Sequence, residues 1–153
     1  MKKVLLAYGY HKSGHYSAVH AIEEELESRG IAAETCNLWE GKTQTIDMLF
    51  SIFRAFAARS VKQVPDFLIA PELLEILADE MHFGVDLQSY DGVISTHQYS
   101  SSLIATHKQK QGSNVPIIHV HINYTPFPLQ MHPLIDFYAG ATPKEDTDSK
   151  LHQ

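Results

Sequence analysis

The sequence predicts an α/β protein, an open parallel sheet with helices on both faces. Three observations carry that expectation. Lys3–Tyr8 is a continuous apolar run, as in a strand buried on both sides. Ser17–Arg29 follows at once as an amphipathic helix, with Ala18, Ile22 and Leu26 four apart and Glu23, Glu24, Glu25 and Glu27 mostly on the other side. Ile31–Leu38 then reads as a second strand, which completes a β-α-β unit within the first forty residues.

The remaining elements follow the same alternation. Gly30 ends the first helix near its C′ position. Thr45–Arg59 and Pro71–His82 have helical spacing, the first through Ile46, Leu49, Phe50, Phe53, Phe56 and Ala57, the second through Leu73, Leu74, Leu77 and Ala78. Asp91–Thr96 is a short buried strand that delivers His97 at its end, and Tyr99–Lys110 is helical. Val115–Ile122 is a strand, Asp136–Ala141 a last short one, and Pro143–Gln153 a polar tail. Residues 1–144 therefore form one domain, with 145–153 as the start of a linker.

Composition bounds the function. The chain has 153 residues, 44% apolar and 20% charged, enough for one ordinary core. A net charge of −6 with no basic face argues against nucleic acid as a partner. One cysteine, Cys36, excludes an internal disulfide and fits a reducing compartment, and its place at a strand end favours a buried, inert thiol. The apolar run after Met1-Lys2-Lys3 is broken by Tyr8–Lys12, too early for a secretory signal, and no stretch is long enough to span a bilayer. The expected location is the cytoplasm, or the surface of a membrane.

Ligands of open parallel sheets bind beyond the carboxyl ends of the strands. That rule places Gly9–His15, His97–Ser102 and Asn123–His132 on one rim, and these segments are rich in His, Ser, Asn, Tyr and Pro. The loop Tyr8–His15 lacks the Lys-Ser/Thr ending of a nucleotide-triphosphate loop, and its glycines do not form a dinucleotide fingerprint. It reads either as a turn with Ser13 as helix cap, or as a setting for His15 as a general base. In the second reading Gly14 permits close approach, and the helix dipole keeps the imidazole neutral. Ser100-Ser101-Ser102 reads as an N-cap, a polar cradle for a ligand, or both. His119 and His121 alternate along one strand face, near which His97 and His132 could complete a zinc site, but no carboxylate accompanies them at ligand spacing. The aromatic helix with Phe50, Phe53 and Phe56 reads as core packing, or, with Arg54, Arg59 and Lys62 beside it, as a grip on anionic lipid.

Three motifs together resemble one family. The strand with Ser13-Gly14-His15 and the small-residue helix Ser17–Ile22, the strand Asp91–His97, and the segment Pro116–Tyr138 with His132, Pro133, Asp136 and Tyr138 resemble the monogalactosyldiacylglycerol synthases and processive diacylglycerol glucosyltransferases. The resemblance runs from Lys3 to about Lys144. It implies a Rossmann-like domain, the N-terminal, acceptor-binding half of a GT-B glycosyltransferase that moves a sugar from a UDP-sugar to diacylglycerol or a glycolipid with inversion. It further implies His15 as the base, with Ser13, Gly14, His97, Ser100, Asn123, Tyr124 and His132 around the substrates, and Phe50, Phe53 and Arg54 against the inner face of the cell membrane. No metal and no cofactor beyond the UDP-sugar co-substrate is called for, and the donor would be held by a C-terminal domain that this chain lacks. Lys12-Ser13, Asn123-Tyr124 and Met131 depart from the family pattern; the second removes a carboxylate that could orient a base. The alternative, from a different class, is a stand-alone Rossmann-like module that binds a nucleotide, flavin or lipid headgroup without catalysis.

Overall fold

The computed structural model describes residues 1–9, 14–38, 40, 51, 71–80, 84–122 and 132–140. Five strands form one sheet, all parallel: β1 (Lys3–Tyr8), β2 (Ala32–Asn37), β3 (Gly92–Ser95), β4 (Ile117–Val120) and β5 (Phe137–Ala139), in the order β2-β1-β3-β4-β5. Helix α1 (Gly14–Ser28) joins β1 to β2, α2 (Pro71–Glu80) precedes β3, and α3 (Gln98–Gln111) joins β3 to β4. The expected α/β sheet with helices on both faces is the architecture found. Thr45–Arg59 lies outside the described residues apart from Ser51, which is helical.

Alternation along β1 sorts the core into two layers. Leu5 and Ala7 point into the larger one, against Leu74 and Leu77 of α2 and Leu103 and Ile104 of α3. Leu6 and Tyr8 point the other way, into a smaller layer with Val19, Ile22 and Leu26 of α1. Burying a leucine fully is worth about 1.5–3 kcal/mol, so this central strand anchors both faces.

Helix ends follow local chemistry. Gly30 takes a left-handed φ of 72° and donates to Glu27 O, while Ile31 N reaches back to Leu26 O. The start of α3 differs from expectation, because its N-cap is His97, whose side chain accepts from Ser100 N. The serines lie inside the first turn, fully buried, where Ser101 and Ser102 donate to the carbonyls of His97 and Gln98 four residues back. That bonding lets hydroxyls sit in a buried turn without orphaned polar groups.

The order of strands decides where a ligand fits. The chain leaves β1 to one side for β2 and returns past it to β3, so the strand order switches between β1 and β3. A crevice opens at the carboxyl ends of such a pair. His15 follows β1 and His97 follows β3, one on each lip.

Candidate functional site

His15 is the second residue of α1 and half-buried, with Nδ1 2.6 Å from the backbone oxygen of Thr96 at the end of β3. A carbonyl oxygen only accepts, so Nδ1 carries the proton and Nε2 keeps a bare lone pair. The tie is reciprocal, since Thr96 Oγ1 donates to His15 O at 3.2 Å. Burial pushes the imidazole below its ordinary pKa, the Thr96 carbonyl pulls partly back, and His121 adds to the depression. The neutral state expected from the helix dipole is present, but its main cause is desolvation.

His97 stands against His15 edge-on, ring centroids 4.9 Å apart. Its Nδ1 lies 3.3 Å from Ser100 N and 3.2 Å from Ser100 Oγ, so this nitrogen is an acceptor and the ring proton resides on Nε2. Burial, then the neighbouring His15 and His119, push its pKa down to about 3. His119, on the α3-facing side of β4 and only 1% exposed, is likewise held at about 3 by burial first, then by His121 and His15. Its Nδ1 is 2.8 Å from Ser101 Oγ. His121 completes the group, its ring 5.9 Å from that of His119. Three imidazoles at this rim are therefore held neutral and fixed by named partners, and the helices α1 and α3 both present their N-terminal ends to it.

Not every expected residue joins them. Gly14 is exposed at the helix start, and a Cβ placed there would meet only Ile122 Cδ1, at an ordinary 3.6 Å. The fold itself makes no demand for glycine here. Ser100 is buried and engaged with His97. No ring contact joins His132 to His15, His97 or His119 among the described residues; its carbonyl is 3.5 Å from Tyr138 Oη, whose ring is 6.0 Å from that of His119. His132 sits in the turn ahead of β5, where its Nδ1 accepts from Leu134 N and its carbonyl from Ile135 N, and burial first, then the Lys108 charge, push its pKa down. A parallel strand is entered from the amino edge of the sheet, so residues preceding β5 start at the far end from His15. Ser13, Asn123, Tyr124, Phe50, Phe53 and Arg54 lie outside the described residues.

Thr96 as the group that orients His15, and Ser101 as the partner of His119, were not foreseen. Thr96 ends its strand beside the start of α1, a place from which a carbonyl can reach the next element, but only the packed register shows that it does. Among the described residues no group of three or more His, Cys, Asp or Glu side chains is arranged to hold a metal ion.

No protein-family model and no curated protein matches the chain. Among solved structures it is similar to a 3-dehydroquinate dehydratase-like protein from Bifidobacterium longum, at 12% identity and a TM-score of 0.39 over 100% of this chain and 99% of that one. At that level of likeness the chemistry of the site rests on its own residues.

Proposed function

We propose that this chain is the acceptor-binding domain of an inverting glycosyltransferase that moves a sugar from a UDP-sugar to a hydroxyl of diacylglycerol or a glycolipid. One observation supports it above the others: the Thr96 carbonyl holds His15 with Nε2 bare, at the carboxyl edge where the strand order switches. A lone pair so placed suits removal of a proton from an acceptor hydroxyl. The hydroxyl oxygen attacks the anomeric carbon from the face opposite UDP, its proton passes to His15 Nε2, and the bond between the sugar and the diphosphate oxygen breaks with its electron pair leaving on UDP. The donor would be held by a second α/β half outside these residues. Burial makes the resulting imidazolium short-lived, while the Thr96 carbonyl, now accepting from a charged donor, limits that cost.

The test is transfer of radiolabelled sugar from UDP-glucose or UDP-galactose to diacylglycerol vesicles, with the chain carried on its full reading frame. His15→Ala is expected to lower turnover by about 10²–10⁴-fold, the usual contribution of a general base, with unchanged circular dichroism. Turnover like that of the parent removes His15 from the mechanism.

A second reading draws on the strand order. Doubly wound sheets ordered 2-1-3-4-5 hold flavin mononucleotide at the same switch point, and the described strands have that order. Quenching of flavin fluorescence by the protein, with no sugar transfer, would favour this non-catalytic binding module.

A further inference from the structure

A bare lone pair on a neutral imidazole is a nucleophile as well as a base. His15 offers one to solvent. Its Nδ1 proton is held by the Thr96 carbonyl at 2.6 Å, and its Nε2 has no hydrogen-bond partner among the described residues, yet is not sealed inside the protein. The neighbouring rings differ. His97 Nδ1 is engaged by the N–H and hydroxyl of Ser100, while His119 Nε2 and His121 Nε2 are shut away from solvent.

The surroundings of His15 decide which electrophile it suits. A histidine that serves as a base commonly leans on a carboxylate, whose charge steadies the imidazolium. Here the orienting group is an uncharged carbonyl. What acts on the ionisation of His15 is burial, then that carbonyl and His121, with no carboxylate among them. Nothing negative therefore stands against an anion bonded to Nε2. Helix α1 starts at Gly14, one residue before His15, and α3 starts at Gln98, one residue after His97, whose ring centroid is 4.9 Å from that of His15. A group carried on His15 lies beside two helix N-termini, whose dipoles favour a dianion. His20, further along α1, has the opposite setting, with a Glu23 carboxylate oxygen 2.8 Å from its Nδ1.

We propose that His15 Nε2 is a phosphoryl-accepting nucleophile, modified by a mixed anhydride of phosphate and a carboxylic acid. The lone pair attacks phosphorus, the bond from phosphorus to the acyl oxygen breaks, and its electron pair leaves on the carboxylate. No proton has to move, because the one on Nδ1 stays in its bond to Thr96 O, which now accepts from a cationic ring. A phosphorus–nitrogen bond is high in energy, so the donor is an anhydride and not a phosphate ester. The loop Tyr8–His15 lacks the Lys-Ser/Thr ending that cradles a nucleoside triphosphate, which leaves the acyl phosphates as the class. The phosphoryl group occupies the lone pair that proton removal needs, so on the transferase reading the modified protein has no base.

Incubation of the protein with acetyl phosphate tests this, read by phosphorus-31 NMR and by peptide mapping in alkali. Phosphate is expected on His15, lost in acid and kept in base, with phosphorus on Nε2 and not on Nδ1. Labelling of His15 should exceed that of His20 about tenfold. His15→Gln should remove the label, and His20→Gln should leave it unchanged. If His15→Gln fails to fold by circular dichroism, the site and the isomer found on the parent protein carry the result. No label, a label on Nδ1, equal labelling of His15 and His20, or a parent-like label in folded His15→Gln would each overturn the proposal. Labelling that leaves sugar transfer by the full reading frame unchanged removes His15 as the base and keeps the phosphoryl site; transfer without labelling does the reverse.

Discussion

The 2.6 Å contact between His15 Nδ1 and the Thr96 carbonyl ties an ionisation equilibrium to the position of one strand end. The same neutrality has a consequence for stability. His97 and His119 are depressed to about 3 in the folded protein, while an unfolded histidine titrates near ~6.5. Between those values the unfolded chain binds protons that the native chain refuses. The contribution is therefore complete above about pH 6.5 and is lost as pH falls toward about 3. Urea midpoints should drop steadily from pH 7 to pH 5, above the range where carboxylates titrate, and His119→Gln should show a shallower drop. A flat profile would contradict the account of a neutral cluster. Gly14 allows a separate check, because a Cβ there meets only Ile122 Cδ1 at 3.6 Å. Gly14→Ala is expected to leave the urea midpoint unchanged or slightly raised. A loss of sugar transfer in that variant would then report a substrate close to the backbone, not a damaged fold.

Helix α3 connects the site to the rest of the sheet. Its first turn carries the His97 cap and Ser101, and its last turns carry Lys108, whose buried ammonium is 2.9 Å from Asp136 Oδ2 and 3.3 Å from Leu134 O. Burial alone would raise the Asp136 carboxyl, but the Ile117 N–H and the Lys108 ammonium outweigh it and hold it below its ordinary value. One carboxylate thus joins α3, β4 and the approach to β5. Lys108→Met should cost about 1–2 kcal/mol in urea denaturation, between the values typical of exposed and buried pairs. At the end of α3 Gly112 takes a left-handed φ of 60°, and its N–H and that of Ser113 close the last turn. Gly112→Ala is expected to lower stability by about 1 kcal/mol through backbone strain alone, with no change at His15.

The molecule as a whole places its histidine cluster, its switch in strand order and two helix N-termini at the same edge of the sheet, and keeps the Lys108–Asp136 pair toward the other. No helix among the described residues is long and apolar enough to cross a membrane. The lipid-acceptor proposal assigns surface contact to Phe50, Phe53 and Arg54, which lie outside the described residues. Sedimentation with vesicles containing anionic lipid should carry down the parent protein, and Phe53→Ser should reduce the bound fraction several-fold with little change in stability. Equal sedimentation by the two proteins would assign that residue to ordinary packing.

Much of the fold was legible because its signals are local. The apolar run of β1, the four-residue spacing in α1 and the glycines at helix ends each report on a few neighbouring residues. The α3 and β3 boundaries fall within one or two residues of expectation for the same reason. His15 and His97 were legible too, since a general rule places ligands at strand ends and both follow a strand. What the tertiary structure alone decided is which atoms meet. A proton on Nδ1 of His15 follows from Thr96, 81 residues away, and Nδ1 of His119 meets the hydroxyl of Ser101, 18 residues away. The histidine cap of α3 and the place of His132 in the turn ahead of β5 follow from packing. Residue types and spacing are properties of the chain; tautomers, burial and orphaned lone pairs are properties of contacts between distant segments, and they set the chemistry of this rim.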